Sequence, residues 1–172
     1  MSKNMMNWIS DLFPLCRSLT GLGTQKTLSY FEKINPELKR ISFKTGEKVF
    51  DWEIPKEWNI KDAYIEHENG NRYAEFSKSN LHVVGYSTPI DKIISKNELF
   101  KHIYTQADQP DLIPFVASYY ENNWGFCISE NEKNNLPDGN YRVFINSELI
   151  DGVLELSHAF INLRKNYYND YC

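Results

Sequence analysis

Ala63-Tyr64-Ile65-Glu66-His67, then Glu68, Asn69-Gly70 and Asn71, then Arg72-Tyr73-Ala74-Glu75-Phe76 carries the clearest structural signal in the chain. Two runs rich in aromatic and β-branched residues flank an Asn-Gly pair, and that pair supplies positive-φ positions for a tight turn, so the stretch predicts a β-hairpin. Upstream, Leu38 to Lys44 alternates in period two, and Thr45-Gly46 separates it from Lys48-Val49-Phe50-Asp51-Trp52-Glu53-Ile54. This predicts another hairpin across 38–54. Leu81 to Tyr86 reads as a strand, and Tyr141, Val143 and Ile145 alternate with Arg142 and Phe144 as a further one. Ser95-Lys96-Asn97-Glu98 and Ser129-Glu130-Asn131-Glu132 are capping boxes that open short helices, the first running through Ile103.

Before Pro36 the period is helical. Met5, Trp8, Ile9, Leu12, Phe13 and Cys16 recur at steps that line one helix face, starting near Lys3, and Pro14 stops that helix around Leu12. Thr24 is read as the cap of a second helix with Leu28, Phe31 and Ile34 inward, ended by Asn35-Pro36. The expected class is therefore α+β: two N-terminal helices followed by a compact, mostly antiparallel β-rich domain.

The 172 residues suit one ordinary domain, with 41% apolar and 15% aromatic content. A net charge of −4, with no basic run to neutralise successive phosphates, argues against nucleic acid as a partner. No signal-peptide pattern opens the chain and no stretch reaches the ~20 apolar residues of a membrane span, so no membrane partner is expected and the location is read as cytoplasmic. Cys16, Cys127 and Cys172 lack paired spacing and fit reduced thiols.

Several blocks together carry a family resemblance: Asp11-Leu12-Phe13-Pro14-Leu15-Cys16-Arg17-Ser18-Leu19-Thr20-Gly21, Val49 to Ile60 with Phe50-Asp51-Trp52, Asn80-Leu81-His82-Val83-Val84-Gly85-Tyr86-Ser87, and Ser118-Tyr119-Tyr120-Glu121-Asn122-Asn123-Trp124-Gly125-Phe126-Cys127. The sequence resembles, over about Leu12 to Ile150, the N-terminal part of a bacterial zinc aminopeptidase-like family that often sits in surface-polysaccharide gene clusters. The resemblance implies that complete relatives are α/β aminopeptidase-like with a β-rich domain of unknown function inserted. It divides this chain into residues 1–37, the first helical piece of the peptidase-like domain, 38–146, the insert, and 147–172, a truncated or divergent return segment. Complete relatives are expected to bind zinc after the return, beginning with a His-x-Cys-His-Pro block. That block is absent from this sequence, so a truncated gene product, catalytically inactive alone, is the expectation, with no catalytic residue, no metal ligand and no cofactor of its own.

The residues support the same expectation. Zinc needs three or four converging His, Cys or carboxylate ligands, usually announced by short paired spacings. His67, His82, His102 and His158 show none, and the first two fall in predicted strands as surface or core-edge side chains. Cys127 with His158 as base is a conceivable nucleophile, yet the apolar run around Cys127 fits a small buried hydrophobe better. Asp51, Glu53, Glu57 and Asp62 are scattered and read as solvated. Gly21 and Gly23 lack the preceding strand and Lys-Ser/Thr of a phosphate loop and are explained by the turn.

One set remains a candidate binding surface: Trp52, Trp58, Tyr119, Tyr120 and Trp124, whose flat rings can stack on sugars or clamp peptide side chains, or else fill the core. The expected partners are a peptide or glycan on that surface, and either a second copy or the missing C-terminal half, since helices that have lost the sheet they cover expose their apolar faces.

Overall fold

The structure, a computed structural model, describes residues 2–160. Helix α1 spans Ser2–Leu12 and α2 spans Leu22–Ile34. The α+β class expected from the sequence is what these residues adopt. The α1 boundary follows Pro14, as expected. The second helix starts earlier than Thr24, with Gly21 at its N-cap at φ 91°, and the Thr24 hydroxyl instead donates to the Ser18 carbonyl at 2.6 Å. Gly21 has to be glycine: a Cβ would stand 2.3 Å from the Trp58 carbonyl.

The strands are β1 (Lys39–Lys44), β2 (Lys48–Val49), β3 (Trp52–Glu53), β4 (Glu57–His67), β5 (Arg72–Tyr73), β6 (Ile90–Ser95), β7 (Ile103–Tyr104), β8 (Phe126–Cys127), β9 (Asn140–Ile150) and β10 (Val153–His158). Four of them form the main sheet, ordered β5-β4-β9-β6 and antiparallel throughout. Its inner face carries Ala63 and Ile65 from β4, Tyr141, Val143 and Ile145 from β9, and Ile94 from β6, all buried. Leu99, Phe126, Ile128 and Leu136 close over that face and complete the core. The alternation read at 141–145 is thus the core pattern of a long strand. Across the outer face the Arg72 guanidinium lies 3.8 Å over the Tyr64 ring, which stacks on Phe144.

Helices α3 (Lys96–Leu99) and α4 (Glu130–Asn134) start where the capping boxes predict. The Ser95 hydroxyl oxygen accepts from the Glu98 N–H and that of Ser129 from the Glu132 N–H, satisfying donors that a first helical turn leaves free. After α3 the chain tightens into a 3₁₀ turn, Phe100–His102, and Ile103 enters β7.

Three of the strand expectations also differ from the structure. Residues 38–54 do not form one hairpin: β1 pairs in full with β10, from Lys39 opposite His158 to Lys44 opposite Val153, and β2 pairs only with β3 around Phe50-Asp51. The physical reason is the clamp at Thr45, whose N–H donates to the Gly152 carbonyl while its hydroxyl oxygen accepts from the Gly152 N–H. Leu81 to Tyr86 is not a strand. Ser79 caps a 3₁₀ turn over Asn80–His82, and the chain beyond makes only single bridges, Val83 to Phe126 and Gly85 to Ala117. The central hairpin exists, but only Gly70 takes positive φ, at 86°; Ala74 at φ 48° ends the pairing, so β5 stops at Tyr73 instead of Phe76.

The ribbon of β1 and β10 lies against α2. Arg40 ties them together, donating to Glu32 on the helix at 2.7 Å and to Glu155 on β10 at 3.2 Å. Strand β9 runs unbroken from Asn140 to Ile150, across the boundary expected at residue 146. The tail beyond Phe160, including Cys172, lies outside the described residues.

Candidate functional site

The aromatic candidates separate into three places. Trp58, at the start of β4, is buried with 4% exposure. Its ring stacks on Tyr86 with centroids 5.8 Å apart, and its indole N–H donates to the Ser87 carbonyl at 3.0 Å. Tyr86 meets Tyr119 edge-on at 5.9 Å, and Tyr119 leans on Tyr120 at 4.5 Å. This row leads from the interior to the surface, where Tyr120 is 75% exposed. Trp124 belongs elsewhere, stacked on the His102 ring at 3.7 Å and edge-on to Phe126 in the core. Trp52 sits half-buried in the β2–β3 hairpin and joins neither group through a ring contact among the described residues.

Tyr86, which sequence reasoning did not single out, holds the row together. It is a non-glycine residue at φ 67° with 4% exposure, a conformation that costs energy unless its surroundings enforce it. They do. Its hydroxyl shares a 2.6 Å hydrogen bond with the buried Thr20 hydroxyl and donates to the Lys56 carbonyl at 3.1 Å. Burial pushes its phenol up from the ordinary value, with the Thr20 bond partly offsetting that. The only early signal was the Gly85-Tyr86-Ser87 triplet, whose glycine hints at a tight backbone turn.

Between Pro55-Lys56 and Ser118 to Asn122 the row opens onto a cleft of about 220 Å³. Tyr119, Tyr120, Lys56, Glu121 and Asn122 are among its lining residues. A larger and more apolar hollow of about 390 Å³ lies between Phe13 and Phe115 over Trp58. Both phenylalanines are more than two-thirds exposed, and Met5, Met6 and Ile9 on α1 are each exposed by more than half.

The titratable candidates go to structural tasks. His67 approaches the Asp138 carbonyl through Nε2 at 3.1 Å and packs on Tyr141. His82, buried and outside any strand, donates from Nδ1 to the Cys127 carbonyl at 2.9 Å. His102 donates from Nδ1 to the Trp124 carbonyl at 3.2 Å. His158 faces Phe160. Each of the first three rings is oriented by a main-chain oxygen. Cys127 is fully buried and burial pushes its thiol up to about 12, a backbone hydrogen bond with Val116 offsetting part of the shift, so the thiolate needed for attack is absent at neutral pH. Glu57 departs from expectation: it is buried, accepts from the Asn59 amide at 3.2 Å and lies so close to Gly152 that a Cβ there would stand 2.4 Å from its carboxylate. Among the described residues no three His, Cys, Asp or Glu side chains converge to hold a metal ion, so the zinc implied by the resemblance has no fitting ligand set there. Also among them, no helix is long and apolar enough to cross a membrane.

The fold and its side chains define a β-rich module carried on two helices and a two-stranded ribbon. The chain belongs to the family described as "Domain of unknown function (DUF2172)", whose pattern matches residues 57–148. Over 155 residues it is 44% identical to a Clostridium acetobutylicum protein named "Putative polysaccharide biosynthesis protein with aminopeptidase-like domain", covering 90% of this chain and 36% of that one. It also resembles a solved structure from Clostridium acetobutylicum described as "putative peptidase", with a TM-score of 0.85, 43% identity and the same coverage. The chain thus spans about a third of the length of these relatives, and the resemblance read from the sequence to part of an aminopeptidase-like protein holds.

Proposed function

We propose that this chain is a non-catalytic section of a zinc aminopeptidase-like protein, one that hydrolyses nothing by itself and serves to be covered by the remaining two-thirds of such a protein. The observation that carries this reading is unpartnered surface on the part outside the family match. Helix α1 turns Met5, Met6 and Ile9 to solvent, as the turn after it does Phe13, and the β1–β10 ribbon exposes the facing pair Ile41 and Leu156. Among the described residues both outer edges of that ribbon are free, and open edges and contiguous apolar faces are what a larger sheet and its neighbours cover. Residues 57–148 are then the insert, and the helices with the ribbon are the piece that docks. Zinc and the hydrolytic residues would reside in the remainder. Free thiols at Cys16 and Cys127 support a reducing compartment, the cytoplasm.

The test is light scattering of the purified chain with metal analysis and an aminoacyl-substrate assay. Self-association that falls when Met6 and Phe13 are both replaced by serine, with no turnover, is the expected result. A strict monomer with stoichiometric zinc and turnover overturns the proposal.

A second reading is favoured by Tyr119 and Tyr120, which are held in place by a buried network yet left open at the cleft. In this reading the aromatic surface binds a ligand independently of the docking face.

A further inference from the structure

We propose that the cleft beside Tyr120 is a carbohydrate subsite that takes a single pyranose ring, stacked on the Tyr120 face. The inference rests on the second reading above and narrows it to one ligand class. Its floor is built rather than incidental. Tyr86 is kept in a left-handed backbone conformation while fully packed, by the Thr20 hydroxyl, the Lys56 carbonyl and the Trp58 ring. Strain of that kind persists where surrounding structure over-determines it, and it concentrates at ligand sites. Tyr86 supports Tyr119, and Tyr119 supports Tyr120 at a tilt of 53°, which leaves the outer face of the Tyr120 ring open to solvent.

Size and chemistry select the ligand. Sites for drug-sized molecules run from roughly 300 to 1,000 Å³, and about 220 Å³ suits something smaller, on the scale of one sugar ring. A pyranose has an apolar C–H face that stacks on an aromatic ring and a rim of hydroxyls that need both donors and acceptors. The cleft offers Tyr120 for the first, and its lining by Lys56, Glu121 and Asn122 brings donor and acceptor residues for the second, with the Lys56 ammonium 3.7 Å from the Asp151 carboxylate and exposed enough to turn to a ligand. An extended peptide would instead need a row of free main-chain groups. Two of the amides there are already used, since the Ser118 N–H donates to the Gly85 carbonyl and the Glu121 N–H to the Ser118 carbonyl.

The test is amide shift mapping on the whole ¹⁵N-labelled chain with methyl glycosides of glucose, N-acetylglucosamine and glucuronic acid, and with trialanine as the peptide probe. The expected result is saturable shifts from at least one glycoside, confined to the amides of residues 56, 86 and 118–122. Tyr120→Ala should weaken that binding about tenfold, Tyr120→Phe should preserve it, and Phe50→Ala, at an exposed residue outside the cleft, should leave it unchanged. The spectrum of each variant reports that it is folded. Trialanine shifting these amides while the glycosides do not would overturn the sugar assignment and leave the binding-surface reading standing. Shifts from no probe, or glycoside binding indifferent to Tyr120→Ala, would overturn both.

Discussion

Trp58→Ala is expected to destabilise the folded chain by about 3–5 kcal/mol, the range for emptying a large buried aromatic site. The reason lies in what the indole does. It stacks on Tyr86, donates to the Ser87 carbonyl, and its backbone N–H donates to the Thr20 hydroxyl at 3.2 Å. Truncation opens a cavity and removes the plate against which Tyr86 holds its left-handed conformation. Domains of this size are stable by only about 5–15 kcal/mol, so the loss takes much of the total. Denaturant melts of Trp58→Ala and Tyr120→Ala should differ sharply, because the exposed Tyr120 change should stay within about 0.5 kcal/mol. Equal midpoints would show that the row of rings does not run from core to surface.

Raising the pH should unfold the protein through its buried acids. In the folded chain burial pushes the Cys127 thiol from an ordinary 9.0 up to about 12, and desolvation pushes Tyr141 from 10.0 up to about 12. For an acid whose folded value is raised, the stabilisation of the protonated form is complete below the unfolded value and is lost as pH climbs toward the folded one. The window is therefore pH 9 to 12 for Cys127 and 10 to 12 for Tyr141. The thiol alone contributes on the order of 4 kcal/mol across its window, by linkage arithmetic. Circular dichroism against pH should show a cooperative loss above pH 9, and Cys127→Ala should move the midpoint upward. An unmoved midpoint in that variant would mean that the thiol does not drive the transition.

Local signals were legible where local chemistry makes the structure. The spacing of Trp8, Ile9 and Leu12 followed by Pro14 marks α1 because helix periodicity and a missing donor act within a few residues. Ser95 and Ser129 mark helix starts for the same reason. The hairpin read over 38–54 failed because the true partner of β1 lies more than a hundred residues away in β10, and Thr45-Gly46 looks the same whether the next strand folds back or departs. Of the aromatic candidates, composition identified the ring types without separating Trp58 in the core from Tyr120 at the surface. That separation depends on Tyr86, whose left-handed backbone no side-chain pattern announces.

The pairing of Lys44 with Val153 has a consequence for gene architecture. With residues 57–148 as the insert proposed above, it sets the chain's way into and out of that module side by side, so a recipient polypeptide would meet the module as a local loop with neighbouring ends. On that proposed reading, splicing at such a stem would leave the recipient's own packing nearly undisturbed, and the module could be gained, lost or exchanged as a cassette without redesigning what carries it.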